Sequence, residues 1–385
     1  MITMRSVFAP LWSSMRVLTL LLAFGAQSAL PRAVAAQTWQ DLVVTMGMSG
    51  EAYDGNLASA TVPLVDSTNS VGAAVAETGI RGGLLLYSSN RTLISTDFDL
   101  GLRQFLASGF AVRDFAPRET TGRLRLAMNR RWASVGSLRV LAEGRSRRMD
   151  DRPPMPLFLQ PGYDRLFGSV QFTTLPIDGL TIDVSVDAEQ ADYDAPEGVP
   201  QIDLLDRDSR GLGVGLTWGQ GYNIRFHGTY RAVDFSKQAS FVGSEPFRQD
   251  RMLTVGAAWR WQGDVLAELG VDAIVNRSNS RRPEYDAVSF RARLGAPLPV
   301  WDLGVNLYGV LTGKSYVDET PFARLVPGEE ADNASVVYLD VNRPMSSQLD
   351  AALRFGFTRA ETDIGNSYFR RYGLSLLLSY RPNLP

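Results

Sequence analysis

The chain has 385 residues, of which 45% are hydrophobic and 21% charged, and its mean hydropathy is −0.08. A bundle of membrane helices is excluded, because each would need a run of about 20 apolar residues. With no cysteine and a single histidine, His227, disulfide scaffolds, thiolate metal sites, lipid-modified cysteines and histidine metal clusters are excluded too, and no metal or cofactor is implied.

Residues 1–36 differ in character from the rest. Arg5 and Arg16 precede the apolar run VLTLLLAFGA (17–26), and Ala33-Val34-Ala35-Ala36 offers small residues for cleavage. This is the pattern of a secretory signal peptide, and it leaves 37–385 as the exported domain. The run is too short to span a bilayer as a helix. Without Arg5, Arg16 and Arg32 the basic count falls from 39 to 36 against 41 acids, a charge of −5. That balance gives no reason to expect nucleic acid as a partner.

From Gln37 onward apolar residues recur with period two, the pattern of half-buried strands. Trp39 opens the first strand, and the second is expected at 79–87. Over 92–105 Ile94, Phe98, Leu100 and Leu102 share one face, with Asp97, Asp99 and Arg103 on the other. Over 120–129 Leu124, Leu126 and Met128 oppose Arg123 and Arg125, and the next strand carries Arg139 and Glu143 on its polar side. The stretch LTIDVSVDAE (180–189) sets Leu180, Ile182, Val184 and Val186 against Asp183, Asp187 and Glu189. In the pair at 211–232, Leu212, Val214, Leu216, Trp218, Tyr222, Phe226 and Tyr230 face away from glycines and from Arg225, His227 and Arg231. The alternation continues through 253–261 with Arg260, 265–276 with Glu268 and Asp272, and 288–296 with Arg291 and Arg293. Segments at 303–311, 334–341, 349–357 (Asp350, Arg354) and 372–380 complete the series.

The connections alternate in length. Short links fall at 88–91, 130–136, 175–179, 219–221, 262–264, 297–301 and 342–346, and long ones near 54–78, 106–117, 147–163, 191–209, 234–250, 277–286, 313–333 and 359–369. About sixteen strands follow, within a range of 14 to 18, with both termini on the short-turn side. All 20 prolines fall outside these strands, as a closed sheet requires. Trp132, Trp218, Trp259, Trp261 and Trp301 lie in or beside short links, and Tyr222 and Tyr380 join them at the same end. Indoles and phenols favour the boundary between lipid and water. A soluble sandwich or propeller has no reason to alternate its connections strictly or to gather its tryptophans at one end. A strand of about ten residues tilted by roughly 40° covers the ~25 Å apolar band of an outer-membrane barrel. The expected fold is therefore all-β, a transmembrane antiparallel up-and-down β-barrel.

With these strands, turns and leader in place, the exported chain resembles the bacterial outer-membrane porin-like β-barrels, a family that includes uncharacterised members linked to surface polysaccharide. In its last strand Tyr372, Leu374, Leu376, Leu378 and Tyr380 match the spacing of such proteins' terminal assembly signal, although Arg381 to Pro385 follow where an aromatic residue usually ends the chain. The resemblance implies a Gram-negative outer-membrane location among lipid and lipopolysaccharide, contact with the barrel-assembly machinery, homotrimers, and a passive pore for small hydrophilic solutes. Dedicated export of polysaccharide or protein, or a closed structural or adhesive barrel, are the other readings.

About sixteen strands enclose a lumen wide enough for water, so the polar faces above become the candidate pore lining. Asp97 and Asp99 face a strand bearing Arg123 and Arg125, which permits cross-strand ion pairs. Gly211, Gly213 and Gly215 leave a strand without inward side chains, so Asp183 and Asp187 can reach Arg225 and Arg231 across it. The same glycines do not form a phosphate loop, since a strand and not a helix follows. Asp192, Asp194, Glu197, Asp203, Asp206 and Asp208 read as an acidic loop without calcium-loop spacing, and the longest loops could fold inward. His227 is the one candidate base for a hydrolase. No serine motif accompanies it, so a non-enzymatic wall residue is the expectation.

Overall fold

The computed structural model describes residues 38–55, 71–108, 114–151, 162–194, 206–219, 222–240, 245–280, 284–299, 301–317, 335–361 and 368–383. They form sixteen antiparallel strands: β1 (Thr38–Gly55), β2 (Val71–Ser88), β3 (Thr92–Ser108), β4 (Arg118–Trp132), β5 (Gly136–Asp150), β6 (Gly162–Thr174), β7 (Leu180–Asp194), β8 (Arg207–Trp218), β9 (Tyr222–Ala239), β10 (Phe247–Gln262), β11 (Leu266–Ser278), β12 (Tyr285–Leu298), β13 (Leu303–Tyr316), β14 (Ser335–Pro344), β15 (Leu349–Glu361) and β16 (Tyr368–Tyr380). Each strand pairs with its sequence neighbours, and β1 pairs with β16 from Val44↔Tyr380 to Gly55↔Phe369, which closes the barrel. Closure leaves no strand edge, the one way a sheet satisfies all its backbone groups in hydrocarbon.

The outer face is apolar. Met48, Leu106, Leu124, Val186, Leu212, Phe226, Val255, Phe290, Leu311 and Leu376 are among the large side chains exposed there. Each alternates with an inner residue that is polar, glycine or small, so the period-two pattern is the inside–outside alternation of one wall.

Short turns join β2 to β3 and every second pair thereafter. At Asp178–Gly179 both residues have positive φ, 51° and 81°, and Ile177 and Leu180 exchange both backbone hydrogen bonds. This is the Asp-Gly two-residue hairpin, whose twist matches that of the strands. Trp301 and Asp302 take the same left-handed conformation between β12 and β13.

Two expectations are corrected. The strands run from 10 to 18 residues, longer than the ten assumed, and they project beyond any apolar band at the long-loop end. Pro297 and Pro344 also lie inside strands, not outside them. Each sits where one neighbour has already stopped: β11 pairs with β12 no further than Gly295, and β13 with β14 no further than Asn342. A missing N–H on that side breaks no ladder bond.

The strands tilt strongly. One row of paired residues starts at Pro297, at the short-turn end of β12, and passes through Gly304, Asn342, Ala352, Leu377, Gly47, Glu77, Arg103 and Glu119. It ends at Met149, at the long-loop end of β5. Residues far apart in sequence and at different strand depths thus become side-by-side neighbours.

Candidate functional site

Register places every charged residue proposed above for the wall on the face opposite the exposed apolar set. Near the long-loop end these residues join others that the sequence reading passed over. Glu51 on β1 has a side chain only 3% exposed and binds Arg371 of β16 at 2.6 Å and Arg103 of β3. Arg103 also meets Glu77 of β2 at 3.5 Å and Glu119 of β4 at 3.0 Å, and Glu119 continues to Arg147 of β5 at 2.7 Å. One chain of ion pairs therefore ties β16 through β5. Around the wall, Glu189 binds Arg165 and lies 3.9 Å from Arg207. Further on, the buried Arg248–Asp250 pair, at 2.5 Å, packs under Phe235. Glu51, Glu119, Arg147, Arg165 and Arg207 share the parity of the recognised residues. Glu119, Arg147 and Arg207 were missed because the strands were read as ending before them, whereas Glu51 and Arg165 lie inside expected strands and were passed over.

The glycine strand performs as expected. Asp187 of β7 reaches Arg231 of β9 at 2.8 Å, and Asp183 reaches Arg225 at 2.9 Å, both across β8. A Cβ at Gly215 would stand 2.5 Å from Asp183 Oδ1 and 2.8 Å from Arg225 Nη2, so only glycine leaves the bridge its path. Gly256 of β10 repeats the device, since His227 of β9 meets Asp272 of β11 at 2.8 Å across it. Asp272 also binds Arg291. The nearest charge to His227 is therefore an acid, where the sequence had placed only Arg225 beside it. Among the described residues, no hydroxyl lies within hydrogen-bond distance of the His227 ring.

Of the two cross-strand pairs read between β3 and β4, Asp99–Arg123 forms at 3.6 Å. Asp97 and Arg125 stand opposite each other without ion-pair contact. Glu143 pairs with Arg145 on its own strand. Arg354 binds Asp340 at 2.6 Å, and Asp350 binds Arg381. Among the described residues, Arg81, Arg125, Arg139, Arg260 and Arg293 have no carboxylate within ion-pair distance. Arg81, Arg139, Arg260 and Arg293 lie towards the short-turn ends of their strands and Arg125 lies midway along β4, whereas the interlocked network lies towards the long loops.

The aromatic belt is a matter of strand ends. Trp132 and Trp218 are the last residues of β4 and β8, Trp259 and Trp261 close β10, Tyr222 opens β9 and Tyr380 ends β16. Trp301 occupies the β12–β13 turn, 73% exposed, and Trp39 lies near the start of β1. All stand at the short-turn end.

Four of the six acids read as one loop are described. Asp192 and Asp194 end β7, Asp208 lies in β8, and Asp206 is held by Lys237 at 2.8 Å. Glu197 and Asp203 lie outside the described residues, as do the leader and most of the two longest loops. Among the described residues no three acids or histidines group to hold a metal ion.

No protein-family model matches the chain, and no curated protein matches it. Solved structures with a similar course are distant in sequence. Salmonella typhi OmpF, solved in complex with daunomycin, shares 9% identity over 89% of this chain and 99% of its own, with a TM-score of 0.40. Pseudomonas aeruginosa OccK7 (OpdD) shares 11% over 90% and 100%, at 0.42. A bacterial polysaccharide outer membrane secretin shares 9% over 88% and 98%, at 0.40. Likeness this distant says nothing of what passes through the wall. By its own strand number, closure and apolar outer face, the chain is a closed antiparallel transmembrane β-barrel of sixteen strands.

Proposed function

We propose that residues 37–385 are exported after cleavage of 1–36 and form a passive, water-filled pore for small hydrophilic solutes in a Gram-negative outer membrane. One observation carries this reading: exposed apolar side chains cover the outside of the strands while charged side chains, many half-exposed, cover the inside. Such a wall is stable only with lipid outside and water or fixed counter-charges inside. Sixteen strands exceed the roughly eight whose interior side chains alone can fill.

In this reading the wall residues Asp97, Arg125, Arg139, Arg225, Arg260, Glu268, Arg291, Arg293 and Arg354 meet solvent and passing solute. The network from Arg371 to Arg147 stiffens the outward-facing mouth. Trp132, Trp218, Trp259, Trp261, Trp301, Tyr222 and Tyr380 mark the periplasmic lipid boundary. The barrel carries no catalytic machinery and needs no cofactor. It is inserted by the assembly machinery, lies against lipopolysaccharide and assembles as a trimer.

Single-channel recording of the purified protein in a planar bilayer tests the reading. Steady ohmic steps are expected, and a reversal potential under a salt gradient reports which wall charges dominate. A folded, heat-modifiable barrel without conductance would overturn the pore and leave a closed structural barrel.

A further inference from the structure

One inner row contains groups that the ion-pair network does not use. It runs Arg260, Glu268, Arg293, Tyr308, Tyr338 and Gly356 on β10 to β15, each paired with the next. Tyr308 and Tyr338 are 40% and 38% exposed although they lie on the polar inner face. Tyr338 leans over Gly356, where a Cβ would stand 3.1 Å from its Cε1 and 3.2 Å from its Cδ1. The missing side chain lets the ring lie against the wall and turn its other face to the lumen. Arg293, next to Tyr308 in the row, has no carboxylate partner among the described residues, and the same holds for Arg260 and for Glu268 between the two arginines. Neighbouring strands are ~4.8 Å apart, so Arg293 and the two rings lie within about 10 Å along the row.

Resting on the pore reading, we propose that this row is a binding shelf for an acidic monosaccharide of the hexuronate class. A guanidinium takes a carboxylate through paired hydrogen bonds. The apolar C–H face of a pyranose lies on an aromatic ring, and the phenol hydroxyls and Glu268 serve its hydroxyls. Glu268 sets the class. An ionised carboxylate only accepts, so a hydroxylated ring satisfies it, whereas an aromatic carboxylate brings it no donor.

Titration calorimetry of the purified protein in detergent tests this, with glucuronate, glucose and benzoate as probes and conductance recorded on the same preparation. Glucuronate is expected to bind at least tenfold more tightly than glucose, which lacks the carboxylate, or benzoate, which lacks the hydroxyls. Arg293→Gln and the double change Tyr308→Ala with Tyr338→Ala should each weaken glucuronate about tenfold. Tyr338→Phe, which keeps the ring, should retain most of the affinity and guards against misfolding of the alanine variant. No glucuronate binding, equal affinity for benzoate, or affinity untouched by Arg293→Gln overturns the shelf. Conductance without glucuronate binding refutes the shelf and leaves the pore; binding without conductance does the reverse.

Discussion

A side chain at position 215 would stand where Asp183 and Arg225 meet. Gly215→Val is expected to push the pair apart and to lower the unfolding free energy by about 1–3 kcal/mol, the usual penalty for overpacking. Gly144→Ala serves as control, since an added Cβ there meets nothing within 4 Å, and its effect should stay within about 0.5 kcal/mol. Urea titration of heat-modifiable migration reads both. Glu119 is a harder case, with Arg103 and Arg147 on its two oxygens at 3.0 and 2.7 Å. Glu119→Ala leaves two partly buried guanidinium groups short of a counter-charge, and a loss of about 3 kcal/mol is expected in the same assay. A loss below 1 kcal/mol would mean that water or the neighbouring Glu51 and Glu77 replace it.

At the scale of the strand, the two faces answer to different solvents. Leu124, midway along β4 and 60% exposed on the outer face, belongs against hydrocarbon. Leu124→Arg should cost about 2–4 kcal/mol at the bilayer midplane and slow insertion into vesicles. The adjacent inner positions already hold Arg123 and Arg125 without such a cost. Refolding yields in lipid vesicles decide the matter: an unimpaired Leu124→Arg variant would show that this face does not meet lipid. This alternation was fully legible in the sequence, because parity is a local property. The strand ends were not. At the long-loop end the outer face turns polar, with Asp150, Asp192, Asp194 and Asp208, so the amphipathic signal fades while backbone pairing continues. Glu119 and Arg147 were lost to the reading for that reason.

At the scale of the whole barrel, closure is the critical contact. β16 pairs with both β1 and β15, so removing Tyr368 onward would leave two unpaired edges in hydrocarbon. No heat-modifiable species is expected from that truncation, as judged by electrophoresis of boiled and unboiled samples. The sequence by itself determined the class of fold, the number and direction of the strands, which side chains face out, and the aromatic end, since each follows from period, turn chemistry and connection length. It even indicated the bridges across Gly211 and Gly215, because β7, β8 and β9 are consecutive and the glycines of β8 leave room between acids on one side and arginines on the other. Only the closed structure decided that Glu51 joins Arg371 and Arg103, that His227 meets Asp272 over Gly256, and that Arg293 lies in one row with Tyr308 and Tyr338. These contacts depend on strand tilt and on the shift in register accumulated around the barrel, and a shift is a sum over all pairings that no single segment encodes.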